Sequence, residues 1–416
     1  MPEQFLTWAD SSPDIAEGAK EHIPWPCERF TTDLGLVSQP VVAKGPDDEL
    51  VTTTWRRGPQ QPTLVYHSTD GGKTWAKLSE VPPHWEAGPA NDFINTCSGC
   101  GYLEDGTIVV QYMNQFNAGL RPIAPATDES HGCLSYVVRS TDHGATWSEP
   151  VALDPWPYAS VGGIARIYQS PNGMLYLPQG RSLRADEGKP LVGQQMECTS
   201  SLYVSEDSGK TWRCWADMGI CVGESDVLCL DGDRMIAVHR FQRKKLKSDP
   251  ADLVSPSCRD VVHHQRNPAC PQCRDPKRPG GHSVYKQTAV AFSENAGRTW
   301  SRPSIATGWV QQTGCIVQLS DGTLILPFGH KDRGQGQRFI VSYDQGRTWS
   351  KAIFELNTCG MYANSTVLRD DTIVTVFSVE GHGGGNNCLE ALLWKPPPRD
   401  VVLQKGAFEP VPVDLP

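Results

Sequence analysis

Three things are scarce in this sequence, and each scarcity removes a class of protein. No apolar run reaches the roughly 18 residues that a helical membrane span requires. Met1 to Lys20 is acidic and polar, without the basic head and apolar core of an export signal, so a cytoplasmic location is expected. Positive charge is in deficit: 38 Lys and Arg stand against 47 Asp and Glu, a net charge of −9. That balance argues against nucleic acid or an anionic membrane as a partner. Aromatic residues are only 8% of the chain, yet 13 of them are Trp, and many of those recur in a fixed setting.

What is present in quantity is glycine (39) and proline (33), which suits many short strands joined by tight turns. The 14 cysteines would suggest disulfides in a secreted chain. Without an export signal they read as reduced thiols, and those set singly in apolar strands (Cys229, Cys315, Cys388) as small buried hydrophobes. A length of 416 residues is compatible with a single closed β domain over 1–416.

One octapeptide, Ser-x-Asp-x-Gly-x-Thr-Trp, occurs five times: Ser68 to Trp75, Ser140 to Trp147, Ser205 to Trp212, Ser293 to Trp300 and Ser342 to Trp349. The fourth copy has Asn295 at the Asp position. Each follows an apolar run that reads as a strand. The motif has the chemistry of a hairpin turn: Asp accepts from nearby backbone N–H groups, Gly supplies positive φ, and Trp folds back as an apolar plug. A second repeat interleaves with it, an apolar strand, a turn and another apolar strand, at Asp47-Asp48, Asp105-Gly106, Asn172-Gly173, Asp231-Gly232, Asp321-Gly322 and Asp370-Asp371. Two hairpins make a four-stranded sheet, so the chain predicts an all-β, six-bladed β-propeller. The sixth sheet lacks a fourth strand, which the segment within Ile23 to Thr31 is expected to supply.

The octapeptide resembles the Asp box of the sialidase (neuraminidase) superfamily, and the resemblance spans roughly Val37 to Val379. In that family the boxes lie away from the active face and also occur in propellers without catalysis, so they bear on fold alone.

Propeller geometry identifies the residues that reach the opposite, top face. Starts of first strands give Gln39, Asp92, Gly163, Glu224, Thr313 and Tyr362; ends of second strands give Arg57, Asn114, Arg181, Arg240, His330 and Glu380; Arg338 opens a third strand. Several arginines, a tyrosine and a glutamate thus converge on one mouth of an acidic chain, which points to an anionic ligand. The resemblance implies more. Tyr362 resembles the family's nucleophile, Glu224 its activating glutamate, Arg240 and Arg338 two of its three carboxylate-binding arginines, and Arg57 a further substrate contact. A neutral phenol suits a sugar whose own carboxylate would repel a carboxylate nucleophile, and it needs a base in reach. Arg181, like Arg166, divides evenly between a substrate contact and an internal salt bridge.

Two places depart from the family. Gln39 stands where the third arginine is expected, and the stretch after blade one's second strand carries no acid/base carboxylate. Asp92 is the candidate general acid, with Asp128, Glu129 and His131 as further candidates. A long insertion, 241–283, leaves and re-enters at the top face, where it would form a lid. In it Cys258, Cys270, Cys273 and His263 would make a structural zinc site; catalysis itself needs no cofactor. The expectation is a retaining exo-glycoside hydrolase on sialic acid or a related acidic sugar. A non-catalytic glycan-binding propeller, or a glycosidase or lyase on a different anionic sugar, are the alternatives.

Overall fold

The computed structural model describes residues 21–32, 38–55, 61–82, 93–116, 133–184, 198–244, 246, 248–249, 283–309, 311–330, 336–379 and 388–415. Six antiparallel sheets stand around a common axis. Blade one is Ser38–Lys44, Leu50–Trp55, Thr63–Ser68 and Ala76–Val81, ordered outward from the axis. Blade two starts with Phe93–Tyr102 and blade four with Val222–Asp231. The innermost strands of blades three and five are interrupted, as Tyr158–Gly162 with Tyr168–Gln169, and Gln311–Gln312 with Val317–Gln318. Blade six comprises Met361–Val367, Ile373–Val379 and Cys388–Trp394. Its outer strand is Glu28–Thr32 from the N-terminal segment, pairing Glu28 with Leu393 and Thr32 with Leu389. The expected closure is therefore observed.

The terminal segments do more than the sequence suggested. Glu21–Pro24 pairs in parallel with Ala352–Glu355 and widens blade five. At the other end Ala407–Phe408 pairs with Trp349–Ser350, and Val411–Pro412 extends blade four beside Ser304–Ile305. The two ends of the chain thus strap blades four, five and six together.

The strands read as nearly unbroken apolar runs because each blade is covered on both sides by a neighbour. Alternate side chains enter opposite seams. Between blades four and five, Val238, Val290 and Ile236 meet Leu324, Leu326 and Phe328. Between blades six and one, Val374, Val376 and Leu389 meet Val42, Leu50 and Leu64. The core is a set of radial slabs. Each fully buried aliphatic contributes about 1.5–3 kcal/mol, and truncating one, such as Leu326→Ala, costs about 2–5 kcal/mol.

The octapeptides close the third hairpin corner of blades one to five, at the end away from the heads of the innermost strands. In the first copy Asp70 accepts from the Thr74 N–H at 2.9 Å and from its hydroxyl at 2.7 Å, while the Ser68 hydroxyl accepts from Gly72 N–H at 2.9 Å. Trp75 donates back to the Gly72 carbonyl at 3.0 Å. Gly72 has φ +93, which a side chain would strain. In the fourth copy Asn295 reproduces the pattern, accepting from Thr299 N–H at 2.9 Å and donating to its hydroxyl.

Candidate active site

The heads of the innermost strands are irregular. Register slips occur between Ser38 and Val41, between Val222 and Ser225, and between Met361 and Asn364. Such bulges take a residue out of the ladder and re-aim its side chain. The displaced residues include Gln39, Glu224 and Tyr362. Gln39 (φ +47) and Tyr362 (φ +62) occupy the left-handed region, as does Thr313 (φ +59) at the head of blade five. Each such residue costs of order 1–3 kcal/mol, and the region is most unusual for a β-branched threonine. Strain is thus stored where the strands approach the axis.

Those heads line one small cleft, whose lining includes Glu224, Thr313, Tyr362, Asn364, Arg166 and Asp226. Arg240 reaches in from the second strand of blade four. Its Nη1 donates to Glu224 Oε2 at 2.9 Å, and the same guanidinium hydrogen-bonds the Tyr362 side chain. Thr313 Oγ1 donates to the same Glu224 oxygen at 3.1 Å. Burial works against the Arg240 charge, but the Glu224 carboxylate and then the Tyr362 phenol more than restore it and raise its pKa above the ordinary range. Behind Glu224, Ser225 Oγ lies 2.7 Å from His239 Nδ1, and burial pushes that imidazole down to about 3, so it stays neutral. Three residues distant in sequence, a phenol, a carboxylate and a guanidinium, therefore share one cleft. Such a set can orient an anionic sugar and offer a nucleophile beside a base.

Other expected residues are placed differently. Arg338 continues the face of Ile340 in the seam between blades four and five, and its Nε and Nη2 both donate to Glu355 at 2.9 Å. Gln39 heads the bulge of blade one, where its neighbour Pro40 lines the cleft. Arg181 is corrected: it faces the interior of blade three, with a side chain only 2% exposed. Its Nη2 donates to the carbonyls of Pro155 (3.1 Å) and Trp156 (2.6 Å), its Nη1 to Ser201 Oγ (3.1 Å), and it stacks on Tyr158 at 4.1 Å. Its position on the strand selects the inter-blade face, so it braces a turn. Asp92, Arg57 and the zinc candidates Cys258, His263, Cys270 and Cys273 lie outside the described residues, as does most of the insertion. Among the described residues no group of three or more His, Cys, Asp and Glu is set to hold a metal, and no helix is long and apolar enough to cross a membrane.

The sequence reading did not single out Thr313 as a Glu224 partner, left Arg166 evenly divided between a substrate contact and a salt bridge, and gave Asp226 no role. The signal for the last two was an opposite pair of charges, each just past a strand head in otherwise apolar innermost strands. Of the three cysteines read as small buried hydrophobes, Cys315 is buried, and burial pushes its thiol up to about 12, whereas Cys229 and Cys388 are half-buried.

Comparison with known proteins gives the class. A BNR/Asp-box repeat model matches residues 66–77, the first octapeptide corner. A sialidase from Micromonospora viridifaciens is 24% identical over 304 residues, covering 66% of this chain, which in turn spans only 45% of that relative. A protein of unknown function from Dyadobacter fermentans superposes with a TM-score of 0.62 at 16% identity, covering 89% of this chain and 98% of the other. Trypanosoma rangeli sialidase superposes with a TM-score of 0.56 at 15% identity, covering 86% and 55%. This chain is a six-bladed β-propeller with Asp-box corners, similar in fold to sialidases.

Proposed function

We propose that this chain is a retaining exo-glycoside hydrolase acting on sialic acid or a related acidic sugar. Tyr362 is the nucleophile, Glu224 takes its proton, and Arg240 holds both in register while offering its charge to the sugar carboxylate. The observation that carries this reading is the Arg240 guanidinium bonded at once to Glu224 and to Tyr362 in a single cleft. In the first half of the reaction the phenol oxygen forms the bond to the anomeric carbon, the phenolic proton passes to Glu224, and the leaving alcohol departs with a proton from a general acid, for which Asp92 is the candidate. Water then reverses the exchange. Arg338 and Arg57 are the remaining candidate cations for the sugar. A zinc ion bound by Cys258, His263, Cys270 and Cys273 would brace the insertion and take no part in the chemistry.

One observation favours a second reading, a glycan-binding propeller without turnover. The neutral Gln39 stands at the head of blade one, where it offers an amide in place of the bidentate charged fork that an arginine would give a carboxylate. A panel of aryl glycosides that includes sialic acid and its deaminated analogue separates the readings. Turnover that disappears in Tyr362→Phe supports the hydrolase; saturable binding without turnover in the wild type supports the second reading.

A further inference from the structure

Beneath the cleft lies a charged pair that the proposed chemistry does not use. Arg166 sits in the gap between the two halves of blade three's innermost strand, with its side chain 10% exposed, and its partner Asp226 is 4% exposed. Nη2 of Arg166 donates to Asp226 Oδ2 at 2.9 Å in blade four and to the Ile316 carbonyl at 2.7 Å in blade five. Nη1 donates to the Ser365 carbonyl at 3.3 Å in blade six. Asp226 Oδ2 also accepts from Ile316 N–H at 3.0 Å.

The positions of these partners matter. Asp226 is two residues beyond Glu224, Ile316 three beyond Thr313, and Ser365 three beyond Tyr362. One guanidinium therefore grips, at nearly the same depth, the three strands whose heads carry the residues of the cleft. The layer continues around the ring. Ile167 N–H donates to the Cys100 carbonyl at 2.9 Å, and the Ala165 carbonyl lies 1.9 Å from where a Cβ on Gly99 would stand, so blade two takes the Arg166 segment in close contact. On the far side Asn364 Oδ1 accepts from Val42 N–H at 2.9 Å and joins blade six to blade one.

We propose that Arg166 is the positioning residue of the cleft: it sets the relative heights of the strands that carry Glu224, Thr313 and Tyr362. The activity arm of the test rests on the hydrolase reading above; the spectroscopic arm does not. A pair kept for stability alone is replaceable, because exchanging both members of a buried ion pair for neutral groups of similar size is often tolerated, whereas removing one strands the other charge. Strand heights set by the forked contacts to Ile316 and Ser365 are not replaceable in that way.

The experiment compares wild type with Arg166→Met, Asp226→Asn and the double variant. It reads melting temperature, kcat and KM on an aryl sialoside, and the 13Cζ-tyrosine resonance that Tyr362→Phe assigns to Tyr362. The single variants are expected to melt lower. The double variant is expected to melt above Arg166→Met but below wild type, because the stranded Asp226 charge is gone while the Ile316 and Ser365 carbonyls still lack their donor. It is expected to keep KM, while kcat falls about a hundredfold and the Tyr362 resonance moves. A double variant with wild-type kcat and an unmoved resonance overturns the proposal. If the wild type shows no turnover, the hydrolase reading fails, and the resonance alone decides: moved supports Arg166 as the positioning residue, unmoved rejects it. Should the double variant fail to fold, Arg166→Lys takes its place. It keeps the charge opposite Asp226 but lacks the fork that spans both carbonyls, and the same two outcomes apply.

Discussion

The two ends of the propeller are built on opposite plans. At the bottom, five corners repeat one local circuit of Ser and Asp or Asn hydrogen bonds between residues at most four apart, as from Thr146 N–H to Asp142 and from Gly144 N–H to Ser140. The Trp indole closes on its own Gly carbonyl in three corners and reaches Ser79 in the second. At the top the bulged strand heads recur, but the side-chain contacts do not. Glu224, Arg240, Thr313 and Tyr362 come from three blades, and their contacts include one between Glu224 and Thr313, 89 positions apart. Each corner closes its Ser and Asp or Asn bonds within itself. The top depends on the whole ring to hold strained residues in place. Repetition therefore marks the fold, and departure from it marks the chemistry.

Substitutions sharpen that contrast, in order of expected size. Tyr362→Phe should lower kcat on an acidic aryl glycoside by at least about a thousandfold and leave the melting temperature nearly unchanged. Glu224→Gln should cost about 10²–10⁴ in kcat. Steady-state kinetics check both, and normal turnover in either variant removes that residue from the mechanism. Arg181→Met should do the reverse. It leaves the Pro155 and Trp156 carbonyls without their donor and should destabilise by about 2 kcal/mol, with KM unchanged in the folded fraction; a raised KM at constant stability would return Arg181 to the substrate. Asp344→Ala, at the fifth corner, should cost about 1 kcal/mol, as loss of a capping side chain does, and leave kinetics alone. Chemical denaturation provides the number.

Acid should separate the two ends as well. His239 lies behind the site and is held neutral down to about 3 by burial, whereas the same side chain in the unfolded chain takes up a proton below about 6.5. Stability is therefore lost progressively as pH falls from about 6.5 towards 3. Asp142 at the bottom is held down to about 2 by the Thr146 hydroxyl, the Thr146 N–H and Ser140. Its contribution is present above about 3.9 and disappears only as pH falls further towards 2. Melting curves across this range should show an upper window that His239→Gln removes and a lower one that it leaves intact. A single transition window unaffected by His239→Gln would refute the assignment.

The bottom of the molecule was largely legible in the sequence, because an octapeptide whose bonds are local announces itself wherever it occurs. The corner positions followed from it, and the interleaved set of six hairpin turns gave the blade number and the need for an N-terminal strand to complete blade six. The straps formed by Glu21–Pro24 and Val411–Pro412 did not, since two- to four-residue pairings at blade edges carry no periodic signal. At the top, counting from the turns placed Glu224, Arg240, Thr313 and Tyr362 at the same end. It said nothing of which face of a blade each side chain would enter, and so it left Arg181 evenly divided between a substrate contact and an internal brace, whereas its strand directs it between blades. The Arg166–Asp226 pair was visible only as two isolated charges, because its partners are mostly backbone carbonyls that any sequence possesses.

The most direct test of the central claim is covalent. Incubation with a fluorinated sialic acid that forms but slowly releases a glycosyl-enzyme, followed by intact-mass measurement and peptide mapping, should find one sugar per chain on the peptide that contains Tyr362. Turnover of an aryl sialoside with no adduct at that residue, or with the sugar attached elsewhere, would contradict the account.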